Sequence, residues 1–325
     1  MNRFYNTYGT AAHILAAVVL YTSTTAIATA SDTATPAKGT GFTLIALPTN
    51  PPLVDAIVDD SIRILGSEGT DITRAATGTL LQADEDPTPD TLVLAGLDSI
   101  VERWEENGDS SAGLLGNLKP VAEVVRDHQA FLMLQTERRE QLRTVFTRAH
   151  GAAGPMTIGG LSAHGQRDHL VAMMLMDAAG QEPVEYPYRE YNSLDALAIA
   201  LLTGEIKLAS IPVSQALKMP LEGGIRMVAT TTDQRQDVTK GVPTLLSARI
   251  DLQYTNFIGL YTVKTADESD QKQLPESFDT LTHSSDWSDE IYSLGLVDDY
   301  TNEGNFKVNV LRELTRLKRF SDMLR

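Results

Sequence analysis

The chain contains no cysteine among its 325 residues. Disulfides, thiolate metal sites, a cysteine nucleophile and a lipid-modified cysteine anchor are all excluded by that absence. Stability must come from large cores instead. Basic residues are also scarce, with 27 lysines and arginines against 43 acidic residues and a formal charge of −16. Nucleic-acid binding needs a basic footprint that releases counterions, so this balance argues against such a partner. An anionic ligand would gain nothing from the overall field, and its recognition would rest on local dipoles and hydrogen bonds. Beyond the N-terminus, no segment is long and apolar enough to span a bilayer. No internal repeat or long low-complexity stretch is present, and the length suits two domains of ordinary size.

What is present begins with an export-type leader. Arg3 gives a basic start, Ala11–Tyr21 is apolar, and Ala28-Thr29-Ala30 has the small-x-small cleavage pattern before Ser31. Residues 1–30 are therefore expected to be a signal peptide, and the mature protein to be periplasmic. Residues 31–40 read as a terminal tail. Strands and helices then alternate. Strands are expected at Phe42–Leu47, Thr91–Gly96, Leu118–Val125, Phe131–Leu134, Val184–Tyr188, Ile206–Ile211, Ile225–Thr230 and Asn256–Val263. Helices are expected at Val54–Leu65, Glu137–Ala149, Leu170–Ala179, Ser193–Leu202 and Val308–Arg325. Such alternation predicts an α/β fold with mostly parallel sheets covered on both faces. Ligands in such folds bind beyond the carboxyl ends of the strands, where Pro48–Asn50, Asp98-Ser99 and Ser162–Gln166 fall.

The stretch Met156–Leu170 is the most pointed. A strand breaks into a loop bracketed by Gly159, Gly160 and Gly165, and a helix follows. This layout is expected to aim free backbone N–H groups at one point, backed by a helix dipole, and so to hold a carboxylate or phosphate. Other readings of the same residues are weaker. Gly160-Leu161-Ser162-Ala163-His164 approaches the G-x-S-x-G elbow, but His occupies the fifth position, where a small residue is needed. An exported serine hydrolase using Ser162 with His283 and Asp286 is the alternative that this similarity leaves. His164 and His169 lie five apart, a spacing that points two helical ligands away from each other, so no metal site is expected. The order G-x-G-x-x-G is missing, and no nicotinamide or other cofactor is expected. Asp55, Asp59 and Asp60 read as a solvated helix face, and Tyr186-Pro187-Tyr188 as packing.

Several stretches, taken in order, resemble one family: the extracytoplasmic solute receptors of tripartite tricarboxylate transporters, also called Bug or TctC-like receptors. Thr91–Gly96 resembles the family's "TLLLG" strand, and Leu118–Val124 its "F-x-P-V-x-x-V" segment. Gly160–Leu170 is similar, without a gap, to "GSAGxGSxxHL", keeping Gly160, Gly165, His169 and Leu170. Pro187-Tyr188-Arg189 stands where "PYKG" is usual, Leu201–Ile206 matches "LLGGQV", Val242-Pro243-Thr244 matches "VPT", and Asn256–Leu260 resembles "NWxGL".

The resemblance implies a type II periplasmic-binding-protein-like fold, with a ligand cleft between one domain of 41–133 plus 258–325 and another of 134–257. It implies a monomeric receptor with no catalytic residues. Such a receptor captures a small di-, tri- or other carboxylate and presents it to integral-membrane transporter subunits; a receptor that docks on a sensor is the variant of that role. The ligand residues it implies are Thr49 and Asn50 in the first loop and Ser162, Ala163, His164, Gly165 and Gln166 in the second; Asp98 and Ser99 join them from their place at a strand's carboxyl end, and Arg167 as a departure from the family's serine. Arg167 would pair directly with a ligand carboxylate. The first loop departs from the family, since Pro51 and Pro52 replace glycines and remove two N–H donors. The selectivity position that is acidic in the family is Ile211 here, which disfavours amino-bearing ligands.

Overall fold

A long strand organises the molecule. In the computed structural model, the described residues are 42–46, 51–67, 72–74, 91–101, 115, 118–134, 150–151, 154–219, 222–263, 273–301 and 303–325. Thr49, Asn50 and the expected helix at 137–149 lie outside them. In chain order the first elements are β1 (Phe42–Ala46), α1 (Pro51–Ser67), β2 (Ile72–Arg74), β3 (Thr91–Ala95) and β4 (Leu118–Leu134). A small hairpin of β5 (His150–Gly151) and β6 (Gly154–Pro155) precedes β7 (Ile158–Gly160) and α2 (Arg167–Ala178). Then come β8 (Tyr188–Glu190), α3 (Leu194–Thr203), β9 (Leu208–Pro212), the single turn α4 (Val213–Ala216) and β10 (Ile225–Thr230). The C-terminal part holds β11 (Thr255–Val263), α5 (Gln273–Thr282), α6 (Ser285–Ser293), β12 (Val297–Thr301) and α7 (Glu303–Asp322).

The strands run in the order β2-β1-β3-β11-β4-β9-β7-β8, with β10 and β12 also paired to β4. The fold is α/β, as the alternation implies. The pairs β1–β2, β1–β3, β7–β8 and β7–β9 are parallel, while β4 and β11 run against their neighbours. Sequence reading expects two strands at 118–125 and 131–134, and they are one. Its first part, to His128, pairs with β11 and β12, and Gln129 onwards pairs with β9 and β10. The apolar run hides this continuity, because Arg126-Asp127-His128 looks like a break. The strand expected at Val184–Tyr188 is instead a 3-10 turn at Pro183–Glu185 followed by β8. Pro183 and Pro187 remove the ladder donors that a strand there would need.

Three cores flank this sheet. One joins α1, α5 and α6 to β1, β3, β4 and β11 through Ile57, Leu92, Phe278 and Trp287. A second packs α2 and α7 on the opposite face, with Met173, Met176, Phe306 and Leu314 at its centre. The third holds α3, Ile206, β9 and Ile225 together. Helix α2 is buried from Arg167 to Met176, so it can carry no solvated face, and its apolar composition follows from that. Helix α3 starts at Ser193, whose hydroxyl accepts from the Ala196 N–H, and ends at Gly204 in the left-handed region at φ 75°.

Candidate functional site

The carboxyl ends of β3, β7 and β9 and the middle of β4 converge on one buried polar cluster. Arg167, the first residue of α2, lies at its centre and is 5% exposed. Its Nη1 donates to Asp98 Oδ2 at 3.0 Å, and its Nη2 to Asp127 Oδ2 at 3.3 Å. Asp98 follows β3, and Asp127 belongs to β4. The Ser214 hydroxyl, just after β9, donates to Asp127 Oδ2 at 3.0 Å. Burial works against the Arg167 charge, and the Asp98 and Asp127 carboxylates more than offset it, leaving its pKa above the ordinary guanidinium value. Burial pushes the Asp127 carboxyl upward, while Arg167 and Ser214 pull it back.

The glycine loop is arranged differently from the expectation of free donors. Asp168, the second residue of α2, turns its own carboxylate into the loop. Its Oδ2 accepts the N–H groups of Leu161 at 2.8 Å and Ser162 at 3.0 Å. Its Oδ1 accepts Gln129 Nε2 at 2.8 Å. The Ala163 N–H goes to Gln166 Oε1 at 3.1 Å, and the Gly165 N–H to His169 Nδ1 at 3.0 Å. The Gln166 N–H reaches the Ala163 carbonyl, and the Asp168 N–H reaches Ser162 Oγ at 2.9 Å. The loop is thus an anion site of the expected kind that its own helix fills. Gly165 at φ 88° permits the turn. Gly160 lets the strand end pass close to Asp168 Cβ and the Ser210 carbonyl, which a Cβ there would meet at 2.7 and 2.9 Å.

His169 is stacked on Tyr188 at 4.4 Å between ring centroids, and the Tyr188 hydroxyl donates to the Ser162 carbonyl at 2.8 Å. Burial, with a smaller contribution from His164, lowers the His169 pKa to about 4. Its ring is therefore neutral and accepts from Gly165.

Of the residues read from sequence, Asp98, Ser99, Ser162, Ala163, Gly165, Gln166 and Arg167 come together here, with the Ser99 N–H bonded to Asp98 Oδ1 at 3.1 Å. His164 is at the rim, exposed, with its ring 4.3 Å from that of His169. Ile211 is fully buried in β9 opposite Ala130. Thr49 and Asn50 lie outside the described residues. Arg167 differs from expectation, because its guanidinium already has internal carboxylate partners. Sequence reading missed Asp127, Gln129, Ser210, Ser214, Tyr188 and the role of Asp168. Two signals were available: an aspartate inside an otherwise apolar strand requires a buried partner, and an aspartate in the first helical turn after a glycine loop suits that loop's donors.

The hydrolase alternative finds no triad. Ser162 Oγ is taken by Asp168, while His283 Nδ1 lies 2.6 Å from the Asp279 carbonyl. Asp286 lies in the first turn of α6, a helix that packs with α1 on the other core. Asp59 and Asp60 pair with Arg74 and Arg63 on the surface. Among the described residues no group of histidine and acidic side chains is placed to hold a metal ion, and no helix is long and apolar enough to cross a membrane. A groove of about 760 Å³, lined by Arg126, His128, Thr231, Tyr254 and Glu313 among others, borders the cluster, since Thr231 Oγ1 accepts the Gln129 N–H at 3.0 Å.

No protein-family model matches the sequence, and no curated protein does. Solved structures match it in fold. A TctC solute-binding protein from Polaromonas superposes with a TM-score of 0.71 at 15% identity, covering 87% of this chain and 98% of its own. MatC from Rhodopseudomonas palustris, with bound malate, gives 0.63 at 14%, covering 88% and 99%. An adipate-bound R. palustris protein gives 0.66 at 15%, covering 87% and 96%. At these identities the likeness establishes the fold, which this chain shares with those solute-binding proteins.

Proposed function

We propose that this chain is a non-enzymatic, extracytoplasmic solute-binding receptor of the TctC/Bug type. It captures a small organic acid between two lobes, 41–133 with 258–325 and 134–257, and presents it to the membrane subunits of a tripartite tricarboxylate-type transporter. Residues 1–30 direct its export to the periplasm. The observation that carries this reading is the buried cluster where β3, β4, β7 and β9 meet. Arg167, from the second lobe, bonds there to Asp98, from the first, and to Asp127 on the shared strand. The fold that surrounds the cluster is also that of proteins solved with malate and adipate.

In this reading β4 is one crossing between the lobes. The other is the segment around Thr231 and Tyr254, which bond to each other and to Gln129 and His128. The core in which α2 packs on α7 also joins the lobes, so closure on a ligand must bend the molecule about these links, and that change of shape is what a membrane partner reads. Small-angle scattering with and without organic acids tests the proposal. A bound acid should contract the particle and, at a hundredfold excess over Kd, add about 2.7 kcal/mol of stability. Esterase turnover lost in Ser162→Ala would favour the hydrolase instead.

A further inference from the structure

Resting on the receptor reading, we propose that Asp168 is a built-in anion that fills the second loop. The solute selected then presents an ammonium group or another hydrogen-bond donor to the Asp98–Asp127–Asp168 cluster, in preference to a second carboxylate. Six of the loop's backbone donors are already used. Leu161 and Ser162 give both N–H groups to one Asp168 oxygen, and those of Ala163, Gly165, Gln166 and Asp168 end on Gln166, His169, Ala163 and Ser162. An incoming carboxylate would find no backbone donor among these six.

The side chains around the loop have the opposite need. Asp98, Asp127 and Asp168 surround the single guanidinium of Arg167, at 3.0, 3.3 and 3.9 Å. Every bond drawn here to Asp127 and Asp168 comes from a donor, which is the pattern of ionised carboxylates. Burial raises the pKa of Asp127 and Asp168, and these donors and Arg167 oppose it; ionised, the three carboxylates outnumber the one guanidinium, an arrangement that disfavours a second anion and attracts a cation. An independent observation points the same way. Gln129 is fully buried, and its Nε2 is fixed toward Asp168 Oδ1 and Ser210 Oγ at 2.8 and 3.1 Å. Its Oε1 is left without a partner. A buried acceptor lacking a donor is costly, and an ammonium or hydroxyl brought to the cluster supplies one. This reverses the expectation drawn from Ile211, which is packed in β9 and is not the residue that sets this choice.

The test is calorimetric titration of the full chain with malate, succinate and citrate, and with a panel of α- and ω-amino acids. At least one amine-bearing acid is expected to bind at least tenfold more tightly than any of the three polycarboxylates. Asp168→Asn should narrow that ratio at least tenfold. If Asp168→Asn fails to fold, Asp98→Asn leaves the loop bonds in place, removes one carboxylate and should narrow the ratio in the same direction. Tighter binding of malate, succinate or citrate by the wild type overturns the inference while leaving the receptor reading intact. A ratio unchanged in a folded variant also overturns it. Failure of every acid to bind a protein with native circular dichroism overturns the receptor reading, and the inference with it.

Discussion

Replacing Arg167 with methionine keeps an apolar stem of similar length and deletes the charge at the centre of the cluster. Asp127 is 1% exposed, so the substitution leaves a buried carboxylate with Ser214 as its remaining hydrogen-bond partner described here. Breaking one partner out of a buried pair typically costs about 3–5 kcal/mol. The unfolding entropy is about 2.1 cal/mol/K per residue, which over the unit Thr40–Arg325 is roughly 0.6 kcal/mol/K, so Tm should fall by about 5–8 °C. The pH dependence gives a second signature. Burial raises the folded-state pKa of Asp127, and Arg167 is the largest influence opposing it. Without Arg167 that pKa climbs further, so the folded variant holds a proton that the unfolded chain has released. Stability then falls as pH rises through that window, and the deficit measured near about pH 5 should be smaller than near about pH 8. Thermal unfolding at both pH values measures it. A fall of less than about 2 °C, or a deficit that grows toward acid, would refute a buried ion pair at this position.

Three further outcomes follow from the same geometry. His169, with its pKa lowered from 6.5 to about 4, should stabilise the fold above the unfolded value and lose that contribution as pH falls through 6.5 toward 4. The loss is about 3 kcal/mol, and it should be absent in a pH series of melts on His169→Gln. Gly160→Ala forces a methyl against Asp168 Cβ and the Ser210 carbonyl, and denaturant titration should show a loss of about 1–3 kcal/mol. Ser162→Ala removes the acceptor for the Asp168 N–H, costing about 1 kcal/mol by the same titration. It should leave any background ester turnover unchanged.

The sequence made the fold legible where periodicity and punctuation agreed. Ile225–Thr230 is a strand at the expected residues, and α3 runs between Ser193 and Gly204 as a cap and a stop require. The glycine loop feeding α2 was legible for the same reason, since Gly165 turns in the left-handed region and Gly160 passes too close to its neighbours to carry a Cβ. What the loop does with its donors was not. Hydrogen bonds from Leu161 and Ser162 to Asp168 span seven and six residues along the chain, and the pairing depends on where α2 begins. Sequence signals begin that helix at Leu170, and the structure begins it at Arg167, which turns Asp168 inward. Asp98 and Asp127 meet Arg167 from 69 and 40 residues away, a distance that no local pattern reports. The prolines at 183 and 187 misled for a physical reason as well, because the aromatic residues between and beside them favour a strand that the missing donors forbid.

The central claim, that this chain is a receptor closing on a small organic acid, is met most directly by small-angle scattering on the full chain titrated with malate, succinate, citrate and amino acids. The account predicts that one acid reduces the radius of gyration in a saturable way and raises the melting temperature at the same concentrations. A radius of gyration and a melting temperature that stay constant across every acid would contradict it.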